Sequence, residues 1–484
     1  MILQHLILPT DICNKNELYF RINENVKIEK NIICIDAFGI VTTDTYFNLF
    51  DAYTWKKYTG INKYTFYITC MGRGEVALYF YNAYTTHEKK VEEKKFESLK
   101  KERLRFNLED PEPGYYYLKI KTIDKSVVSD ISIQTDAKLK RDICMGINIC
   151  TYKREKQIRN NIGIFLNSDF FQPDNALYGK IKICVVDNAS ELADIEHPMI
   201  SIIHNRNTGG SGGFTRGINE FKTSGKFISH MIFMDDDVQF IPETFYRLYA
   251  FLSYLLPEYG ETVIAGRMFR ADCKYVQYTA AEKWNGGDII HIGFQKDMSL
   301  KENLKDINNP YDAEYTGWWM GCFTMDFVKD NIPMPFFIHC DDVEYGLRHG
   351  GTPIILNGIQ VWHETYEYRQ NAIIAYYDMR NPLFVNSIYK QEHNQKEVIN
   401  KWKEKITKEH NKHDYLSEYM IILGLIDFCK GTKWLYKLDA ERYHKKLQKS
   451  KAFRIFNAIL WRLAARKYAR LKTDKQKTYE NIKW

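Results

Sequence analysis

No long apolar run interrupts this 484-residue chain: the longest, around Met420 to Ile426, falls far short of the roughly 20 residues that a membrane-spanning helix requires. With 27% charged residues and a mean hydropathy of −0.44, a multi-span membrane protein is excluded. The amino terminus, Met1-Ile2-Leu3-Gln4-His5, lacks a basic segment leading into an apolar core and a small-residue cleavage site, so no secretory signal is read and a cytosolic setting is expected. Low-complexity tracts and internal repeats are also missing. The 10 cysteines stand singly, without a CxxC pair or a Cys/His knuckle spacing, which excludes a zinc-knuckle site and a disulfide framework and leaves buried reduced thiols. No recognisable nucleic-acid module is found, so nucleic acid is not expected as a partner.

What is present is globular composition, 45% hydrophobic and 15% aromatic, at a length suited to two or three domains. The net charge of +7 is unevenly placed, with 17 Lys and Arg against 4 Asp and Glu from Lys430 to Trp484, so the rest of the chain is net acidic. Residues 1–140 carry short runs rich in aromatic and β-branched residues, such as 64–70, 75–81, 104–108 and 115–120, separated by turn signals at Gly72-Arg73-Gly74 and Pro111-Glu112-Pro113-Gly114. An N-terminal β-sandwich is expected there, its many tyrosines filling the core or stacking on sugar rings. From Asp142 the pattern changes to strands at 145–150, 181–186, 200–203 and 227–234 alternating with helices near 153–166 and 213–223. This alternation predicts an α/β unit over 141–390, a mainly parallel sheet covered by helices, with ligands beyond the carboxyl ends of its strands. Residues 391–484 read as a basic helical region. Phe453, Ile455, Phe456, Ile459, Leu460 and Leu463 recur at helical spacing among Arg454, Arg462, Arg466, Lys467 and Arg470. That pattern suits a helix lying on an anionic membrane surface, or a packed helix with a solvated basic side.

Chemistry concentrates where strands end. Ile232-Phe233-Met234 runs into Asp235, Asp236 and Asp237, and alternation along an extended chain turns Asp235 and Asp237 to one side and Asp236 to the other. Two hard oxygen ligands facing one divalent ion suit a metal-diphosphate site; an acidic turn ahead of the helix at Pro242 is the alternative. Upstream, Val185-Val186-Asp187-Asn188-Ala189-Ser190 closes one strand and Asn205-Arg206-Asn207-Thr208-Gly209-Gly210-Ser211-Gly212-Gly213 follows another. This run fits neither the GxGxxG frame nor the P-loop. A glycine-dense loop feeding a helix offers backbone N–H groups to an anion, with Arg206 or Arg216 adding charge, or is simply a turn. Downstream, Asp341 and Asp342 precede a helix, and one of them is placed to take a proton from a hydroxyl. His363, after Trp362, completes a metal shell or is a core residue, and Trp318-Trp319 has the same two readings.

Six motifs in order, 185–190, 205–214, 233–238, 318–319, 341–346 and 362–364, resemble those of family-2 GT-A glycosyltransferases, and most closely those of bacterial galactofuranosyltransferases that polymerise cell-wall galactan. The resemblance implies a Rossmann-like mixed-sheet GT-A catalytic domain between the N-terminal β-sandwich and the C-terminal helical region. It implies that Asp235, Asp237 and His363 hold Mn2+ or Mg2+ on a UDP-sugar, UDP-galactofuranose being the suspected donor. Asp342 is then the catalytic base, with Asp341 and Glu344 supporting it or binding acceptor, and Trp318 and Trp319 lining the acceptor site. Thr151, Arg154, Asp187, Asn207, Gly209, Gly210 and Asp236 are placed around the nucleotide. The partners implied are a lipid-linked or growing glycan acceptor, an anionic inner membrane face reached through the basic helices, and further copies of the chain. The functional alternatives are another UDP-hexose as donor, a different metal-dependent nucleotidyl or phosphoryl transferase, or a glycan-binding protein without catalysis.

Overall fold

In the computed structural model, residues 1–29, 32–305, 307–365, 371–389, 395–451 and 454–470 are described. Nine N-terminal strands form one hydrogen-bonded sheet organised by the strand Lys63–Asn82. On one edge this strand pairs along its length with His87–Glu109. On the other it pairs first with Ser126–Gln134, through Thr65 to Met71, and then with Tyr115–Thr122, through Gly74 to Tyr81. The change of partner falls at Gly72, whose φ of 115° and whose Cβ, if it had one, at 2.3 Å from the Ser126 Oγ, restrict the position to glycine. The two-sheet sandwich expected from sequence is therefore two arms of one continuous sheet, and Phe66 and Ile68 from one arm and Val76 and Leu78 from the other enter the same apolar cluster. The strand His87–Glu109 begins with a Lys/Glu-rich stretch that has little strand signature; pairing with an apolar partner decides its conformation.

The second sheet is mixed. Met145–Thr151 lies between Ile181–Asp187 and His230–Asp235, both parallel to it, and Ile200–His204 extends the sheet beyond Ile181–Asp187. Met320–Thr324 runs antiparallel between His230–Asp235 and Ile264–Arg270, and Ile354–His363 lies parallel to Ile264–Arg270. The helix Gly209–Thr223 packs on this sheet, and glycines set how closely. A Cβ on Gly213 would fall 2.1 Å from the Cys150 Sγ, and one on Gly217 would fall 2.0 Å from the Asn148 Oδ1. The run expected as an open loop is thus mostly the first turns of a helix, its small residues letting helix and strand approach.

The two sheets share a core. Trp55 meets Phe251 edge-on at 5.1 Å between ring centroids, and Tyr46 lies 5.0 Å from Phe269. Arg247, buried on the helix Glu243–Tyr254, donates to the carbonyls of His5 and Phe47 at 3.1 and 2.9 Å. A separate apolar cluster joins Ala372–Tyr389 to Gln395–Asn411 and Tyr415–Phe428, so the helical layer starts ahead of residue 391. Within it Phe384 packs edge-on against Phe428, and Tyr376 donates to Asp427 at 2.8 Å.

Because Gly217 has no space for a methyl group, Gly217→Ala is expected to destabilise the fold by about 1–3 kcal/mol through overpacking against Asn148. Thermal melting checks this, and an unchanged melting temperature would show that the close approach is dispensable.

Candidate active site

Sheet register delivers the functional side chains. Thr151 pairs with Asp187, and Cys150 with Asp235, so three parallel strands end level. Beyond the aspartates, Gln239 and Trp362 exchange backbone hydrogen bonds of 2.8 Å in both directions, which sets the end of the strand Ile354–His363 beside the Asp235–Asp237 turn. The His363 Nε2 consequently lies 3.0 Å from the Asp237 Oδ1 and 3.6 Å from the Asp235 Oδ2. One ligand atom from each of the three residues falls within 4.8 Å of the others. The imidazole is 3% exposed, while the carboxylates of Asp237 and Asp235 are 12% and 37% exposed, so the group opens to solvent on its acidic side. Two carboxylate oxygens and an imidazole nitrogen suit a divalent ion such as Mn2+ or Mg2+.

Asp236 turns away, as alternation requires. It accepts from the Thr151 Oγ1 at 2.6 Å and from Arg154 at 2.8 Å, while the Asn161 side chain donates to its carbonyl at 3.0 Å. Burial raises the pKa of Asp236, and the Arg154 guanidinium opposes that rise. Arg154 also reaches the Asp237 Oδ2 at 2.9 Å; burial disfavours its charge, but the neighbouring aspartates more than compensate and hold it above its ordinary value. Of the residues expected around the nucleotide, Thr151, Arg154 and Asp236 therefore form one internal network.

Asp187, Asn207, Gly209 and Gly210 form an adjoining one. The Asp187 carboxylate accepts the backbone N–H groups of Ala189, Glu191 and Leu192 at 2.7 to 2.9 Å. Asn188 donates to the Gly209 carbonyl at 2.9 Å, and the Asn207 side chain caps the Gly209 N–H at 3.1 Å. Gly209 has φ of 71°, and a Cβ there would fall 2.1 Å from the Phe337 carbonyl oxygen. The two arginines considered for the anion turn elsewhere, Arg216 to Glu220 at 3.1 Å and Arg206 toward Asp439 at 4.0 Å.

That contact with Phe337 leads to the second carboxylate pair. Phe337, His339 and Cys340 all have positive φ, between 64° and 77°, a strained conformation for residues with side chains. The segment is held by the helix Ala372–Tyr389. Arg380 donates to the Phe336 carbonyl at 2.6 Å, Asn381 donates to the carbonyls of Ile338 and His339 at 2.8 and 2.9 Å, and His339 pairs with Asp378. It ends in the helix Asp341–His349. There the Asp341 Oδ2 accepts from the Ser211 Oγ at 2.9 Å, next to the start of the helix Gly209–Thr223. Asp342 has its pKa raised well above the ordinary carboxylate range by burial, then by the charges of Asp341 and Glu282. Glu282, buried and paired with His291 at 2.8 Å, had no signal in the sequence: it lies in no motif and is brought to Asp342 by tertiary packing.

Three expected acceptor residues are placed otherwise. Trp318 is buried, stacked on Phe233 at 4.6 Å and edge-on to Phe214 at 5.0 Å; Trp319 is buried with its indole N–H on the Gly266 carbonyl at 2.7 Å. Both are buried among core side chains, Trp318 between Phe233 of the sheet and Phe214 of the covering helix. Glu344 is fully buried and engaged by Arg348 at 3.0 Å and Tyr389 at 2.7 Å, which makes it a support of the helix rather than an acceptor contact.

Residues 147–318 match the Glycosyl transferase family 2 model, and residues 3–136 match the Galactofuranosyltransferase 2 N-terminal model. Fold, strand-end carboxylates and both matches make the central region similar to family-2 glycosyltransferases and the N-terminal region similar to that of galactofuranosyltransferases. Among curated proteins, the chain is 28% identical over 223 residues to the galactofuranosyltransferase GlfT2 of Mycolicibacterium smegmatis, a match covering 42% of this chain and 33% of that protein. It is 29% identical over 215 residues to GlfT2 of Mycobacterium tuberculosis, covering 39% of this chain and 32% of the other. The matches thus span about a third of the length of these relatives.

The raised pKa of Asp342 has a consequence for stability. Its value in the folded chain lies above the unfolded one, so the fold is favoured while this group is protonated and loses that advantage as pH rises through the folded value. Asp342→Asn, which stays neutral, is expected to melt at a higher temperature than the native chain at pH 8, with the gap narrowing toward pH 5. Differential scanning fluorimetry at both pH values checks this; a variant that melts lower throughout would contradict it.

Proposed function

We propose that this chain is an inverting, metal-dependent glycosyltransferase that moves galactofuranose from UDP-galactofuranose to a hydroxyl of a lipid-linked or growing cell-surface glycan. The observation that carries the reading is the convergence of Asp235, Asp237 and His363 beside a second carboxylate pair, Asp341 buried and Asp342 half-buried. In this reading the three residues hold Mn2+ or Mg2+ on the diphosphate of the donor. When bound there, the ion supplies positive charge that offsets the negative charge growing on the departing UDP. Thr151 and Arg154 fix Asp236, so Asp235 and Asp237 keep their side of the strand end. Asp187, Asn207, Gly209 and Gly210 flank the nucleotide.

Asp342 takes the proton from the attacking acceptor hydroxyl. A carboxylate whose basicity is raised by burial and by neighbouring carboxylates is better suited to this than an exposed one. Ser211 holds Asp341 by a hydrogen bond, and the clamped 336–340 segment orients the pair. Attack opposite the leaving UDP inverts the anomeric centre in one displacement without a covalent enzyme intermediate. Residues 1–140, 141–390 and 391–484 are the sheet domain, the catalytic domain and the helical region in this scheme.

A peripheral membrane position forms part of the proposal. On the helix Arg454–Ala469, Leu460, Ala464 and Tyr468 face the helical core, whereas Phe456, Ile459 and Leu463 are more than half exposed among basic residues. Phe453 lies outside the described residues, as do the side chains of Arg454 and Ile455. No helix among the described residues is long and apolar enough to cross a membrane. An exposed apolar stripe flanked by cations suits an anionic bilayer surface.

Asp342→Asn is expected to lower transfer from UDP-galactofuranose by about 10²–10⁴-fold while leaving UDP binding nearly intact. Mass spectrometry of products, with UDP-galactopyranose and UDP-glucose in parallel, checks both step and donor; near-native turnover removes Asp342 as the base. Replacing Phe456, Ile459 and Leu463 together by Ser is expected to abolish co-sedimentation with phosphatidylglycerol vesicles, and undiminished co-sedimentation discards the membrane role.

A further inference from the structure

The tyrosine-rich N-terminal region leaves one feature that the transfer chemistry does not use. A cleft of about 300 Å³ opens at the seam between the two sheets. Its walls come from the helix Ala52–Thr59, the turn at Ala83 and Tyr84, the turn at Pro113 and Gly114, and the loop Asn308 to Pro310. We propose that this cleft is a second, non-catalytic site that holds a sugar unit of the acceptor glycan away from the transfer centre. The proposal rests on the glycosyltransferase reading above.

The lining has the chemistry of a neutral sugar site. Tyr53 and Tyr84 are 42% and 64% exposed, so neither ring serves the core in the way Tyr115 does at the back of the cleft. The Lys305 ammonium lies 4.6 Å over the Tyr84 ring, so the Tyr53 ring and the other face of Tyr84 are what match the C–H faces of a sugar ring. The floor is polar and fixed. The Asp51 carboxylate accepts from the Thr54 N–H at 2.9 Å, the Thr54 hydroxyl at 2.6 Å and the Asn308 side chain at 3.0 Å, and Asn308 in turn accepts from the Asn357 N–H at 2.7 Å. The Thr54 and Asn308 side chains on this floor and the Lys57 side chain in the wall offer polar partners for sugar hydroxyls. A lipid tail would meet too many polar groups here, and an anionic ligand would meet the Asp51 carboxylate. The volume is at the low end of ligand pockets, about 300–1,000 Å³, which fits a sugar or two.

Position supports the same occupant. Asn357, bonded to the cleft floor, lies on the strand that ends at His363. Six residues separate the two along a strand that bulges at Gly358, so the gap is at most about 20 Å, one that an acceptor of several sugars bridges and a single sugar does not. The cleft therefore discriminates acceptors by length.

The test uses the full chain carrying Asp342→Asn, so that no transfer occurs, and titrates a galactofuranosyl hexasaccharide and the matching disaccharide by calorimetry. Adding Tyr53→Ala and Tyr84→Ala is expected to weaken hexasaccharide binding about tenfold and to leave disaccharide binding unchanged. Tyr53→Phe with Tyr84→Phe, which keeps the rings, is expected to retain binding. On the otherwise native chain the alanine pair is expected to raise KM for the hexasaccharide with kcat unchanged. Equal hexasaccharide affinity with and without the two rings overturns the proposal, as does a hexasaccharide that fails to bind the parent. UDP binding with Mn2+ in the same samples reports on the donor site, so loss of the glycosyltransferase reading is told apart from loss of this one.

Discussion

Three adjacent carboxylates at one strand end repel each other, and the arrangement of this molecule follows from how that repulsion is divided. Strand alternation sends Asp236 to the side opposite Asp235 and Asp237. There it meets Arg154 and Thr151, which spend their hydrogen bonds on it. The two remaining carboxylates are left facing His363, which arrives because Gln239 and Trp362 pair as backbone neighbours. The Arg154 guanidinium bridges the two sides. A divalent ion held by Asp235, Asp237 and His363, as proposed above, would add positive charge on that side.

The same economy of charge governs the second carboxylate pair. Asp341 is held by the Ser211 hydroxyl at the start of a helix, whose N–H groups favour a negative group. Asp342 receives less help and sits near Glu282, so its ionised form is disfavoured in the folded chain. The backbone ahead of the pair is strained at three non-glycine residues and survives because Arg380, Asn381 and Asp378 grip it from the helix Ala372–Tyr389. That helix buries its other contacts among the C-terminal helices. The helical layer is thereby part of what positions this carboxylate pair, in addition to its exposed basic side.

Periodicity carried much of this into the sequence. The strand end at Asp235, the opposite facing of Asp236, and the approach of His363 were readable because alternation and motif order are local properties or accompany a family pattern. For Trp318 and Trp319 both readings stayed open, because an aromatic pair in a motif looks the same whether it lines a cleft or fills the core; both are buried here. The glycine run at 209–213 was read as a loop, because sequence does not reveal that Cys150 and Asn148 stand where its Cβ atoms would be. Glu282 and the clamp by Arg380 and Asn381 depend on contacts between distant segments, to which local patterns are blind.

The central claim is that one metal ion touches both the His363 imidazole and the diphosphate of the donor. Pulsed electron paramagnetic resonance of Mn2+ bound to the full chain with UDP reads both contacts at once, through couplings to nitrogen-14 and phosphorus-31. The account predicts that both couplings appear in the native chain and that the nitrogen coupling alone disappears in His363→Gln. A Mn2+–UDP complex on the protein that shows phosphorus coupling with no imidazole nitrogen would contradict it.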